Sequence, residues 1–262
     1  MNPLIDRFDA LRTQGAKAFI PFLTAGYPDA ARFRTLLRAC GPADCIEIGL
    51  PFSDPVADGP TVCRSSEIAL AQGMHSDVLF DLLGAEPEHP PVVLMTYLNP
   101  VLAYGVEPFM RRASAAGVAA LLLTDVPADE GAEFAAAAAG HGLAMVQLVA
   151  PTTAPDRIAR IAAAATGFVY CVALAGTTGA RSAVAAAARS TVERVRAVTA
   201  RPVVVGFGIS TPDHVREVCT YADGVVVGSA LLDWVHQHRD DPRLGDLFSA
   251  HIAAFAAAAH GG

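Results

Sequence analysis

Lysine is all but missing from this chain: among 19 basic residues only Lys17 is a lysine, and the formal net charge is −7. With acids in excess and no basic tract, neither nucleic acid nor an anionic membrane surface is expected as a partner, and the ligand should be small. Imine chemistry is also disfavoured. It needs a lysine amine in the site, whereas Lys17 precedes the first predicted strand and belongs to the wrong end of it. Cysteine is sparse: Cys40, Cys45, Cys63, Cys171 and Cys219 form no C-x-x-C element, which points to free thiols in a reduced, cytoplasmic setting. No apolar run approaches the roughly 20 residues of a membrane span. The opening stretch MNPLIDRFDALRTQG mixes Asp and Arg into its apolar residues, the pattern of a short amphipathic helix and not of a signal peptide. A G-x-G-x-x-G turn is lacking, which argues against a doubly wound dinucleotide fold. The histidines, the pair His236 and His238 included, fall in helix or loop patterns away from strand ends, so neither a metal centre nor a Ser-His-Asp arrangement is expected.

What is present is a repeating alternation. Apolar runs at 18–23, 45–49, 92–97, 119–123, 144–149, 168–172, 203–207 and 224–227 are separated by helix-like stretches at 30–39, 64–72, 108–116, 130–141, 155–164, 183–197 and 211–219. Such alternation means parallel strands joined by crossover helices. Eight units in 262 residues match the count and size of an α/β (β/α)₈ TIM barrel, with extra helices at the start, after Gly73 and at the end. One domain over 1–262 is the expectation, since no linker or composition break divides the chain.

In such a barrel the chemistry sits where strands end. Glu47 is an acid inside the strand-like run IEIG and is followed by the loop PFSDPVADGP (51–60). Its prolines and Gly59 restrict the backbone that carries Asp54 and Asp58. A structural, hydrogen-bonded carboxylate and a turn-capping Asp are the plain alternatives for these acids. Late in the chain Gly206-Phe207-Gly208-Ile209-Ser210 and Gly228-Ser229 each lead into a helix, a setting in which backbone amides hold a phosphate without a cationic side chain. The loop GTTGAR (176–181) adds a donor-rich segment that could close over a ligand.

The segments FIPFLTAGYPD (19–29), IEIGLPFSDPVADGPT (46–61), TYLNPVLAYG (96–105), LLTDVP (122–127), GTTGAR, GFGIS (206–210) and Gly228-Ser229 together resemble the tryptophan synthase α-subunit family, and PFSDP-x-ADGP is highly specific to it. The resemblance implies retro-aldol cleavage of indole-3-glycerol phosphate to indole and glyceraldehyde 3-phosphate. The indole would pass to a β subunit in an α₂β₂ assembly, with pyridoxal phosphate only in that partner and no cofactor in this chain. By the same resemblance Glu47 is the general acid/base and Asp58 accepts a hydrogen bond from the indole N–H. Phe22, Tyr97, Leu122, Tyr170 and Thr178 line the indole and glycerol site. Gly179, Gly206, Phe207, Gly208, Ile209, Gly228 and Ser229 hold the phosphate, and Pro51, Asp54, Asn99 and Pro127 face the partner. The chain departs from the family pattern at Ala173 and Thr177, where Ser and Val are usual, and at Cys63, where Gln is usual. A stand-alone indole-releasing lyase of the same fold and a catalytically silent activating subunit are the competing expectations. The second is opposed by the presence of both Glu47 and Asp58.

Overall fold

Strand order and side-chain parity together make the barrel. The computed structural model describes residues 2–172, 181–206 and 208–261; the expectations for Ala173, Thr177, Thr178, Gly179 and Phe207 fall outside them. Its strands are β1 (Ala18–Thr24), β2 (Ile46–Gly49), β3 (Val92–Thr96), β4 (Val118–Leu123), β5 (Ala144–Met145), β6 (Gln147–Val149), β7 (Val169–Val172), β8 (Val203–Gly206) and β9 (Gly224–Val227). All are parallel, in the order β5-β4-β3-β2-β1-β9-β8-β7-β6. The ninth strand arises from one break. The run expected as a single strand over 144–149 is interrupted at Val146, whose N–H donates to the Leu121 carbonyl at 2.9 Å. Its first half pairs with β4 and its second with β7, so the fifth strand of an eight-unit barrel changes partner midway and brings the two ends of the sheet together.

Register sorts the side chains. Phe22 lies opposite Glu47, Glu47 opposite Val93, and Met95 opposite Leu122, so these residues share the inner face of the barrel. Phe19, on the other pleat of β1, stacks instead on Phe255 with ring centroids 5.8 Å apart.

The helices are α1 (Pro3–Gln14), α2 (Ala30–Ala39), α3 (Pro60–Ala71), α4 (Ser76–Gly84), α5 (Leu98–Tyr104), α6 (Val106–Ala115), α7 (Ala132–Gly140), α8 (Pro155–Ala164), α9 (Arg181–Arg196), α10 (Pro212–Cys219), α11 (Ser229–His238) and α12 (Leu244–His260). The expected extra helices are α1, α4 and α12. Asn2 caps α1 by accepting from Leu4 N–H at 3.0 Å, while its amide donates to the Ala119 and Gly142 carbonyls at 2.8 Å. Phe8 meets Phe168 at 5.5 Å, so α1 closes the barrel beneath the strand starts. Helix α3 begins at Pro60, four residues before the expected Arg64, because proline is favoured in a first turn where its missing N–H has no partner to lose. No helix among the described residues is long and apolar enough to cross a membrane.

Candidate active site

Helix α5 was not expected, and it sets the geometry of the mouth. Tyr97, read as the end of the third strand, is its N-cap residue, and Leu98 N–H donates to Asp125 Oδ1 at 2.8 Å. Asp125 therefore has a structural task. The cap turns Tyr97 back over the β2–α3 loop, where its hydroxyl accepts from Ala57 N–H at 3.1 Å and its ring lies 5.3 Å from that of Phe52. Phe52 is a mouth residue that the sequence reading missed, although its place inside PFSDP marked it.

Glu47 points into the barrel from β2 and is 2 % exposed. Its Oε2 atom is buried without a hydrogen-bond partner among the described residues. Burial, with the Asp58 charge adding to it, raises the Glu47 pKa to about 8. Burial also raises Asp58 to about 6, and the Tyr97 hydroxyl pulls it partly back. Tyr97 is itself pushed up to about 12, first by burial and then by the Asp58 charge, and so remains a donor. The loop between the two acids is braced internally: Asp58 N–H donates to the Pro55 carbonyl at 3.0 Å and Val56 N–H to the Asp54 carbonyl at 2.9 Å.

Around the acids stand apolar walls. Phe22 and Leu122 are buried, and the Phe22 ring lies over Gly49, where a Cβ would come within 2.7 Å of it. Tyr170 faces inward from β7; burial and the Glu47 charge hold its phenol pKa above the ordinary value. Its hydroxyl sits where a Cβ on Gly206 would go, which gives that glycine a packing reason beyond any phosphate. Gly208 has φ +72 with nothing within 4 Å of its Cβ direction, so a side chain there would be strained while the adjoining space is open. Helix α11 starts after Gly228 with no side-chain cap, and while Leu231 N–H donates to the Gly228 carbonyl at 2.9 Å, the Ser229 and Ala230 amides have no partner among the described residues and can meet an anion. Ile209 is buried.

The residues assigned to a partner face divide by exposure: Asp54 and Asn99 are exposed, Pro127 is half-buried and Pro51 is buried. The same strand-end face carries two apolar side chains that the sequence reading passed over, Val56 at 86 % exposure and Leu102 at 51 %.

A (β/α)₈ barrel whose mouth holds a buried carboxyl, unpartnered among the described residues, beside a second acid and under apolar walls has the form of a barrel enzyme with its site at the strand ends. Comparison with known proteins narrows the class. The family model described as tryptophan synthase alpha chain matches residues 8–254. The tryptophan synthase alpha chain of Geobacter sulfurreducens is 48% identical over 236 residues, 88% of this chain and 89% of the relative. That of Gloeobacter violaceus is 46% identical over 247 residues, 92% of this chain and 89% of the relative. Among solved structures, tryptophan synthase subunit alpha from Legionella pneumophila superposes with a TM-score of 0.89 at 31% identity, covering 98% of both chains. A chain of the ligand-free tryptophan synthase from Mycobacterium tuberculosis gives 0.87 at 36% identity over 99% of both. This chain belongs to the tryptophan synthase alpha chain family.

Proposed function

We propose that the chain cleaves indole-3-glycerol phosphate to indole and glyceraldehyde 3-phosphate by a retro-aldol step, with Glu47 and Asp58 as its catalytic pair. The observation that carries this reading is the Glu47 carboxyl, buried, with its Oε2 unpartnered among the described residues and its pKa near 8. An acid in that state is protonated at neutral pH, and leaving a buried polar atom unsatisfied is costly unless a ligand completes it. Glu47 gives its proton to C3 of the indole ring. The positive charge that develops on the ring is stabilised by Asp58, ionised above pH about 6 and accepting from the ring N–H. Loss of the proton from the glycerol hydroxyl next to the ring, with Glu47 now a carboxylate able to take it, forms the aldehyde. The electrons of the breaking C–C bond return to the ring and release neutral indole. Protons balance, and Glu47 ends in its starting state.

Phe22, Leu122 and Tyr170 supply the apolar walls for the indole. Gly208-Ile209 and the uncapped start of α11 at Gly228-Ser229 supply amides for the phosphate, with Gly206 opposite Tyr170. Thr178, Gly179 and Phe207 keep the roles the family resemblance gives them. A β subunit bearing pyridoxal phosphate is the proposed acceptor of the indole, docking on the strand-end face that presents Asp54, Asn99, Val56 and Leu102. We read the chain as one cytoplasmic domain. The test is indole release from indole-3-glycerol phosphate by the purified chain, with and without a β subunit: release that rises on adding the partner supports the reading, and a folded chain that releases none under either condition overturns it.

A further inference from the structure

The opposite end of the barrel holds a cavity of about 380 Å³ between α1 and the segment that leads into β8. We propose that it is a second ligand site, for a small aryl anion, that is an aromatic ring bearing a carboxylate or sulfonate. Its size is in the range of small-molecule sites. Its accessible apolar lining is Ile5, Ala16, Ala200 and Pro202, over a floor of the buried Leu4, Phe8 and Leu11 of α1. The rim is cationic: Arg12, Lys17, Arg196 and Arg201 line it, against the carboxylates of Asp9 and Asp223 only.

The carboxylates do not cancel those cations. Asp9 is taken by Arg12 at 2.8 Å. Asp223 is shared by Arg196 at 2.8 Å and Lys17 at 3.5 Å, and it also accepts the Val203 N–H at 3.0 Å. The Arg201 guanidinium donates only to the Thr166 carbonyl, at 3.3 Å, among the described residues. The cavity therefore carries two positive charges in excess, within a chain whose net charge is −7 and whose single lysine sits on this rim. An anion gains from that excess, a ring gains from covering Ile5, Ala16 and Pro202, and a neutral or cationic ligand gains nothing from the rim. Because Lys17 and Arg201 stand at strand starts while Glu47 faces the strand ends, the inference is independent of the proposed lyase activity.

The test is a fluorescence titration of the full chain with anilinonaphthalene sulfonate, with benzoate as competitor, set beside glycerol 3-phosphate binding. The expected result is one saturable site, displaced by benzoate, whose affinity falls about fivefold or more in Lys17→Met and in Arg201→Ala, with thermal midpoints near that of the parent. Gly208→Val should leave this site unchanged while weakening glycerol 3-phosphate binding. Probe binding that is absent, that ignores both charge variants, or that follows Gly208→Val and so belongs to the mouth would each overturn the proposal. Glycerol 3-phosphate affinity that stays unchanged in Gly208→Val would instead fault the phosphate placement and leave this site standing.

Discussion

At the scale of single residues, the buried carboxyl that the proposed mechanism assigns to Glu47 works against stability at alkaline pH. A carboxyl whose folded pKa stands near 8, above its unfolded value near 4.3, binds more protons folded than unfolded between those limits. Stability is therefore lost as pH rises through that window, by a few kcal/mol at most. Glu47→Gln should cut indole release by about 10²-fold or more. It should also raise the thermal midpoint relative to the parent at pH 8, with the difference vanishing near pH 4. A variant that turns over normally, or that gains no stability at alkaline pH, would show that Glu47 is not the buried acid described. Asp58→Asn should also be severely impaired, by about 10-fold or more, since a neutral amide cannot balance charge on the ring. With Asp58 required ionised and Glu47 required protonated, kcat/KM should follow a bell with limbs near pH 6 and pH 8. A profile flat from 5 to 9 would rule out this division of labour.

At the scale of elements, the termini of α5 and α11 set the two functional edges of the mouth. Helix α5 presents Leu102 to solvent beside the loop that carries Asp54. Leu102→Asp and Asp54→Ala should weaken activation by a β subunit while leaving basal cleavage within about twofold, because rim changes alter association more than the distant chemistry. Basal cleavage that collapses in Asp54→Ala would move that residue into the chemistry. The start of α11 and the open space beside Gly208 predict that Gly208→Val weakens glycerol 3-phosphate binding about tenfold or more, since valine is strained at φ +72 and fills the approach to the amides. Lys17→Met should leave that affinity nearly unchanged, as the lysine stands at the other end of β1. Isothermal titration of both variants decides the matter.

At the scale of the molecule, one buried acid ties both ends of the chain to the barrel. Asp44 is fully buried and accepts from Arg7 of α1 at 2.5 Å, from the Phe19 N–H of β1 at 2.7 Å and from His260 of α12 at 3.0 Å. Asp44→Ala would leave the buried Phe19 donor unsatisfied and should destabilise the fold by about 3 kcal/mol. Denaturant unfolding measures this, and a loss below about 1 kcal/mol would show that the ends are held by packing alone.

The sequence by itself determined the barrel and singled out Glu47 and Asp58 as candidate acids. Apolar runs of strand length bounded by Gly, Pro and Asp are local signals, and burying Glu in such a run is costly enough to mark it as purposeful. Helices α2 and α8 begin and end where their periodicity placed them. Other features depended on contacts between distant segments. The break at Val146 comes from the fifth strand changing partner between β4 and β7. Helix α5 rests on a cap from Asp125, 27 residues along the chain, and Asn99-Pro100 looks like a turn without it. The raised pKa of Glu47 and its unpaired oxygen are likewise tertiary, because desolvation is a property of everything packed around the carboxyl and of the neighbouring Asp58 charge, neither of which a strand contains alone.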